Sequence, residues 1–257
     1  MNLQSDLAQR LEEKPILLMT HLVLGYPSFE VNREVIRQMA DNGVDCIELQ
    51  IPFSEPMADG PVILKANQDA LARGVKVRDC LEFAAGMAAA HPGINFLFMT
   101  YYNIVFRYGE QAFLDHAARI GIRGTIIPDL PPEEGADFHA RARAMGLAPI
   151  MFFTPTSTDE RMREVARQGQ GFIYVVARRG VTGAPTEMDA GLAAYLQRCR
   201  RATDLPLAVG FGISRPGDVA MLTGKADMAV IGTATIRLVD ERGPGAVGEF
   251  IASLLAA

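Results

Sequence analysis

Two acidic side chains near the second strand-like run are the residues best suited to do chemistry. Glu48 lies within an apolar stretch, where a carboxylate is costly to bury, and Asp59 follows in a segment rich in turn-forming residues. One carboxyl held at a strand end can transfer protons while another, in a different environment, stabilises charge. The alternatives are a buried acid satisfied by a neighbouring hydroxyl or amide for Glu48, and a turn residue or helix N-cap for Asp59.

Three glycine-containing segments, at residues 180–184, 209–214 and 231–234, could bind and cover an anion. Glycines let backbone N–H groups approach a phosphate closely, and a helix beginning at Thr233 would direct its positive end toward it. The first segment is long enough to fold over a ligand, although it could be a simple flexible connection. The other two predict a phosphate site, with a pair of ordinary turns as the alternative.

Eight apolar runs would have to position these groups. They begin at Ile16, Asp45, Ile94, Gly124, Ala148, Gly171, Leu205 and Ala226. Most are continuous rather than alternating, which is typical of parallel strands covered by helices. Eight strand–helix units predict an α/β fold, a closed (β/α)8 TIM barrel. An open doubly wound sheet is the rival, but the paired glycine turns follow the last strands, where barrels place phosphate sites.

Helix signals separate the runs. Ser28 is a predicted N-cap with Gly43 past the helix end, and Ser157 with Glu160 has capping-box spacing before a helix that ends near Gly169. The first residues predict an extra, polar N-terminal helix. Because no linker or composition break divides the chain, residues 1–257 are expected to form a single domain.

The composition argues against several classes of function. With 49% hydrophobic and 21% charged residues and a net charge of −5, the chain resembles a globular protein without a basic patch, so nucleic-acid binding is not expected. No apolar run is long enough for a membrane span, and no signal peptide is apparent. The odd set of three dispersed cysteines fits reduced packing residues, and the predicted location is cytoplasmic.

Several longer motifs carry a family resemblance. The strings ELQIPFSEPMADGP, FMTYYNIVFRYG, IIPDLPPEE, RRGVTGA and VGFGISRPGDV resemble, in order and over nearly the whole chain, the alpha subunit of tryptophan synthase. The resemblance implies a lyase of tryptophan biosynthesis that cleaves indole-3-glycerol phosphate to indole and glyceraldehyde 3-phosphate. It also implies that neither a metal nor an organic cofactor is needed, and that a beta subunit is a candidate partner.

The resemblance also implies residue roles. Glu48 would be the acid and base, Asp59 would hold the indole N–H, and Tyr174 would lie beside the reacting glutamate. Around the phosphate and in the closing loop the matching residues are Arg178, Thr182, Gly183, Gly212, Ile213, Gly232 and Thr233. The apolar wall of the indole pocket would comprise Met99, Ile126, Phe152 and Phe211.

Five positions depart from the family pattern. Gln50 replaces the usual glycine on the same strand face as Glu48, and His21 replaces an aromatic residue of the indole pocket, where it is either a core residue or a polar wall. Thr233 for serine is a mild change. Glu55 stands where aspartate is usual, and Ile104 stands where proline is common. Both changes affect the loop after the second strand or the surface that would contact a beta subunit, which predicts that this contact is altered or absent.

Three functions are therefore compatible with the sequence. The first is the lyase. The second is a catalytically weak homologue that binds and regulates a beta-type subunit, which Gln50 and His21 permit. The third is a phosphate-binding barrel lyase or isomerase with another substrate, because a barrel does not determine function. Glu48, Asp59 and Tyr174 together favour an enzyme, and the apolar wall favours indole.

Overall fold

Eight short parallel strands form the centre of the computed structural model, which describes residues 2–177, 190–210 and 212–256. Each strand pairs with the next, and the last pairs with the first, so the sheet is a closed barrel rather than an open doubly wound sheet. Every predicted apolar run contains one strand. The strands are β1 Leu17–Val23, β2 Cys46–Gln50, β3 Asn95–Met99, β4 Gly124–Ile126, β5 Ala148–Phe153, β6 Ile173–Val176, β7 Leu207–Gly210 and β8 Met228–Ile231.

Helices surround the barrel and connect its strands. They are α1 Leu3–Glu13, α2 Phe29–Asp41, α3 Pro61–Ala72, α4 Val77–Ala90, α5 Tyr102–Tyr108, α6 Glu110–Arg119, α7 Ala136–Ala144, α8 Asp159–Gln168, α9 Ala190–Ala202, α10 Pro216–Leu222, α11 Thr233–Arg242 and α12 Val247–Leu255, with a 3-10 turn at Pro244–Ala246. The predicted TIM barrel is therefore confirmed. That residues 1–257 form one domain stays a prediction. None of the helices in the described ranges is long and apolar enough to cross a membrane.

Side-chain alternation along the strands divides the apolar core in two. On β2, Ile47 and Leu49 pack outward with the helices, whereas Cys46 belongs to a cluster inside the barrel. The same inward face carries Glu48 and Gln50, because side chains two apart on a strand point the same way. The strands are therefore largely apolar, and the inward polar residues Glu48 and Gln50 lie in the carboxyl-terminal half of β2.

Helix α1 closes the amino end of the barrel, as its buried Leu3 and Leu7 join the interior cluster. The fully buried Asp45 carboxylate lies at this end, before β2. It accepts from Lys14 at 2.7 Å, from Arg10 at 3.3 Å and from the Leu18 N–H at 3.0 Å. This network ties the predicted extra helix to the first two strands.

Helix termini largely follow their sequence signals. Ser28 caps α2 by accepting from a backbone N–H, as predicted. The predicted capping box at Ser157 is wrong by one residue: Thr158 is the N-cap of α8, and Ser157 instead bonds to Thr154 in the preceding turn. Adjacent hydroxyl residues offer equivalent caps, and the path of the chain from β5 selects between them.

Candidate active site

The register of the first two strands brings His21 and Glu48 side by side. His21 on β1 is directly opposite Glu48 on β2, and both point into the barrel near its carboxyl end. Gln50 is the last residue of β2 and belongs to the same face. Two predicted departures from the family pattern thus flank the predicted acid and base.

A cavity of about 440 Å³ opens at this end of the barrel. That volume falls in the range typical of small-molecule sites. The predicted residues that line it are His21, Glu48, Asp59, Met99, Ile126, Phe152, Tyr174, Gly212, Ile213, Gly232 and Thr233. Gln50 is fully buried behind the lining, and Arg178, Thr182, Gly183 and Phe211 lie outside the described residues.

Glu48 is held by His21 inside the cavity wall. The Glu48 Oε1 and His21 Nδ1 atoms are 3.3 Å apart, and each side chain is only 5% exposed. Burial disfavours a charged imidazole, but the Glu48 carboxylate and then Asp59 outweigh it and raise the pKa of His21 above 6.5. Glu48 Oε2 and His21 Nε2 have no hydrogen-bond partner among the described residues. Both are buried polar atoms whose hydrogen-bonding capacity a ligand in the cavity would satisfy.

Asp59 is oriented from two sides. Its Oδ2 accepts a hydrogen bond from Gln50 Nε2 at 2.7 Å and another from the Tyr101 hydroxyl at 3.3 Å. Burial raises the pKa of this carboxyl above its usual range, while His21 and the two donors oppose the rise. Asp59 is not a helix N-cap, since Gly60 precedes α3, so its carboxylate is directed to the cavity rather than to a helix end.

Tyr101 holds the loop that carries Asp59. Its hydroxyl accepts from the Ala58 N–H at 3.1 Å, and its ring stacks on Phe53 with centroids 4.9 Å apart. Burial and then the neighbouring Asp59 raise the pKa of Tyr101, so that its hydroxyl stays protonated as a donor. Tyr101 was not among the predicted site residues, although a tyrosine two residues beyond the end of a barrel strand is a usable signal.

Tyr174 lies across the cavity from the glutamate strand. Burial, followed by the charges of Glu48 and Asp59, raises the pKa of its hydroxyl well above 10. Its ring packs on Phe152, with centroids 5.4 Å apart. A Cβ on Gly210 would lie 3.2 Å from the same ring, so glycine at the end of β7 makes room for Tyr174. Aromatic side chains therefore form one wall of the cavity.

The outer end of the cavity can bind an anion. Gly212 has a φ of +85°, a conformation that favours glycine. The Ser214 N–H and hydroxyl already donate to Asp218 at 2.9 and 3.3 Å, so this turn satisfies itself. By contrast, Gly232 caps α11 without a side chain, and the first N–H groups of that helix start at Thr233 on the cavity wall. The α11 terminus is therefore the stronger candidate for the predicted anion site.

Further lining residues were not predicted. Arg237 and Glu241 lie one turn apart on α11, and Leu238 and Phe250 extend the apolar surface. The sequence could have indicated Arg237 and Glu241, because charged side chains four residues apart lie on the same face of a helix. The described residues contain no group of three His, Cys, Asp or Glu side chains placed to hold a metal ion.

Comparisons with known proteins agree with this geometry. The family model described as tryptophan synthase alpha chain matches residues 7–250. A tryptophan synthase alpha chain from Desulfotalea psychrophila is 62% identical over 254 residues, covering 99% of this chain and 100% of the relative. One from Syntrophotalea carbinolica is 53% identical over 252 residues, covering 98% and 99%.

Solved structures give the same result. Tryptophan synthase from Mycobacterium tuberculosis superposes with a TM-score of 0.91 at 30% identity, covering 99% of this chain and 96% of that one. A tryptophan synthase complex from Pyrococcus furiosus gives a TM-score of 0.85 at 28% identity, covering 94% and 98%. Since family model, relatives and structures agree over nearly the whole length, the chain belongs to the tryptophan synthase alpha chain family.

Proposed function

We propose that this chain cleaves indole-3-glycerol phosphate to indole and glyceraldehyde 3-phosphate. The observation that carries the proposal is the meeting of Glu48 and Asp59, from different segments, in one cavity with an anion site at its outer end. An apolar wall that includes Met99 and Phe152 lies between these groups. A planar aromatic ring at the inner end and a phosphate at the outer end fit this distribution of polar and apolar surface.

The proposed chemistry divides proton transfer and charge stabilisation between the carboxyl groups. Glu48 delivers a proton to the ring carbon that bears the side chain and takes the proton of the adjacent side-chain hydroxyl. The carbon–carbon bond then breaks, its electron pair returns to the ring, and the released carbon becomes the aldehyde. Asp59 accepts a hydrogen bond from the ring N–H. Its negative charge stabilises the positive charge that the protonated ring carries before the bond breaks.

Binding of the phosphate supplies orientation. The start of α11 at Thr233, with Gly232 and Gly212, presents backbone N–H groups, and Arg237 lines the same cavity. Anchoring the substrate at both ends holds the scissile bond near Glu48, which contributes to rate through positioning. Arg178, Thr182, Gly183 and Phe211 keep the roles that the family resemblance implies, as part of this proposal.

The test is an indole-release assay on the purified chain and its variants. Glu48→Gln should lower kcat by roughly 10²- to 10⁴-fold, the range for a positioned acid or base, and Asp59→Asn should also lower it. Glu82→Gln is the matched control, since that side chain is 70% exposed on α4, and it should retain full activity. Absence of cleavage by the wild-type chain, alone or with a beta subunit, would refute the proposal.

A beta subunit is the proposed partner. Two large apolar side chains are exposed in this part of the chain, Met57 at 80% and Phe106 at 65%. A surface groove of about 470 Å³ is lined by residues close to Met57 and Phe106 in the sequence. One of these lining residues is Ile104, which departs from the family pattern. Glu55, another departure, is also exposed. We propose that this surface binds the partner.

Titration with purified beta subunit tests whether the departures weaken this contact. Weakened coupling predicts low affinity and little activation of indole release, with both rising in an Ile104→Pro variant. Tight binding with strong activation by the unaltered chain would contradict the weakened coupling while leaving the partner proposal intact. A cytoplasmic location, which the three buried free thiols favour, belongs to the same proposal.

A further inference from the structure

The histidine beside Glu48 is placed to take part in the reaction. His21 approaches Oε1 of Glu48 through Nδ1 at 3.3 Å, which leaves Oε2 without a partner among the described residues. The two side chains come from adjacent strands in register, so backbone pairing as well as side-chain packing determines their contact. A buried carboxylate bound at one oxygen has the other free for a ligand.

His21 is surrounded mainly by acidic groups. Glu48 on β2 and Asp59 after β2 act on it directly, and the other charged or titratable groups that line the same cavity are Tyr174 on β6 and Arg237 and Glu241 on α11. The Gln50 side chain also favours the protonated imidazole. The inner end of the cavity thus combines two carboxyl groups with one titratable base, which retains a proton more readily than free histidine does.

We propose, on the basis of the function proposed above, that His21 is a positioning residue for Glu48, holding it at Oε1 and sharing with it the proton that the indole ring receives. The pair carries one proton, on His21 Nδ1 or on Glu48. When Glu48 gives this proton to the ring carbon, the pair becomes the neutral imidazole and the carboxylate. The proton taken from the substrate hydroxyl then restores it, so the cycle balances without an external acid.

The first test does not depend on catalysis. NMR titration of the imidazole C–H resonances follows the four histidines of the chain, and His21→Gln identifies the signal of His21 by its loss. We expect His21 to titrate above pH 6.5 in the wild-type chain. In Glu48→Gln the midpoint should fall by about one pH unit or more, because the opposite charge is gone. Titration at or below pH 6.5, or no response to Glu48→Gln, would overturn the inference.

The second test measures the pH profile of indole release for the wild type, His21→Phe and His21→Gln. Phenylalanine can neither hold Oε1 nor carry the proton, so kcat should fall roughly tenfold with little change in KM. The alkaline limb of the profile should move to lower pH, because a carboxyl loses its proton at lower pH than an imidazole does.

Glutamine separates the two roles. Its amide can donate to Glu48 but cannot carry the proton, so His21→Gln should recover part of kcat without restoring the alkaline limb. A profile for His21→Phe that superposes on that of the wild type overturns the inference. If the wild-type chain cleaves nothing, the proposed function fails instead, and the NMR midpoints still report whether His21 and Glu48 share a proton.

Discussion

Gln50 offers a perturbation whose effects on stability and on catalysis should separate. Its side chain is fully buried and its Nε2 donates to Asp59 at 2.7 Å. Its Oε1 favours the protonated His21 imidazole but makes no hydrogen bond of normal geometry within the described part of the chain. Gln50→Met keeps the length of the side chain and removes both polar atoms. A hydrogen bond to a charged group contributes about 1.5–3 kcal/mol, whereas an unsatisfied buried acceptor costs about 1–3 kcal/mol. We therefore expect the free energy of unfolding to change by less than about 1 kcal/mol.

Catalysis should respond more strongly than stability. Without Gln50, Asp59 retains the Tyr101 hydroxyl at 3.3 Å as its donor but loses the shorter of its two hydrogen bonds. Since Gln50 opposes the rise in the pKa of Asp59, that pKa should rise further in Gln50→Met. We expect kcat/KM for indole-3-glycerol phosphate to fall about tenfold, equivalent to about 1.4 kcal/mol, and its acid limb to move to higher pH.

Urea denaturation and steady-state indole release measure the two effects. Gln170→Met is the matched control, because Gln170 precedes β6 at the opposite end of the barrel and its Oε1 is also buried without a partner in the described structure. The control should leave kcat/KM unchanged. A loss of more than about 2 kcal/mol in Gln50→Met would show that Oε1 is satisfied in the native state. An unchanged kcat/KM would show that Gln50 does not position Asp59.

Three other residues give further expectations. Tyr101→Phe keeps the stacking but loses the bond to Asp59, so steady-state kinetics should show a roughly three- to tenfold lower kcat/KM and urea denaturation a loss of about 1 kcal/mol. Asp45→Asn removes the carboxylate partner of Lys14 and leaves Arg10 paired with Asp6, so calorimetry should show about 2–3 kcal/mol less stability, with kcat unchanged. Burial, and then a nearby arginine, lowers the pKa of His139 from 6.5 to about 4. As the pH falls, the unfolded chain therefore binds a proton at His139 before the folded chain does. The free energy of unfolding should decrease between pH 6.5 and 4, and His139→Leu should reduce that decrease when stability is measured by urea denaturation.

Each expectation has a contrary outcome. Wild-type kinetics in Tyr101→Phe would remove the tyrosine from the support of the Asp59 loop. A reduced kcat in Asp45→Asn would mean that the two ends of the barrel are coupled. Identical pH profiles of stability with and without His139 would mean that the buried imidazole is accessible to protons in the folded state.

The sequence by itself determined the number and kind of elements. Parallel strands are buried on both faces and therefore appear in the sequence as continuous apolar runs. The capped amphipathic segments between these runs indicated the helices. The glycines after β7 and β8 likewise predicted an anion site, since close approach of the backbone to an anion restricts the residue type. Glu48 stood out as a candidate because a carboxyl inside an apolar strand is costly to bury unless it is paired or hydrogen-bonded.

Only the tertiary structure decided which side chains meet. Strand register brings His21 to Glu48, and the path of the loop after β2 brings Asp59 to Gln50 rather than to a helix end. Asp218 accepts from the Ser214 N–H and hydroxyl, which leaves the start of α11 as the stronger candidate for the proposed anion site. These pairings depend on contacts between segments remote in sequence, where a displacement of one residue changes the partner, so local patterns of residue type could not specify them.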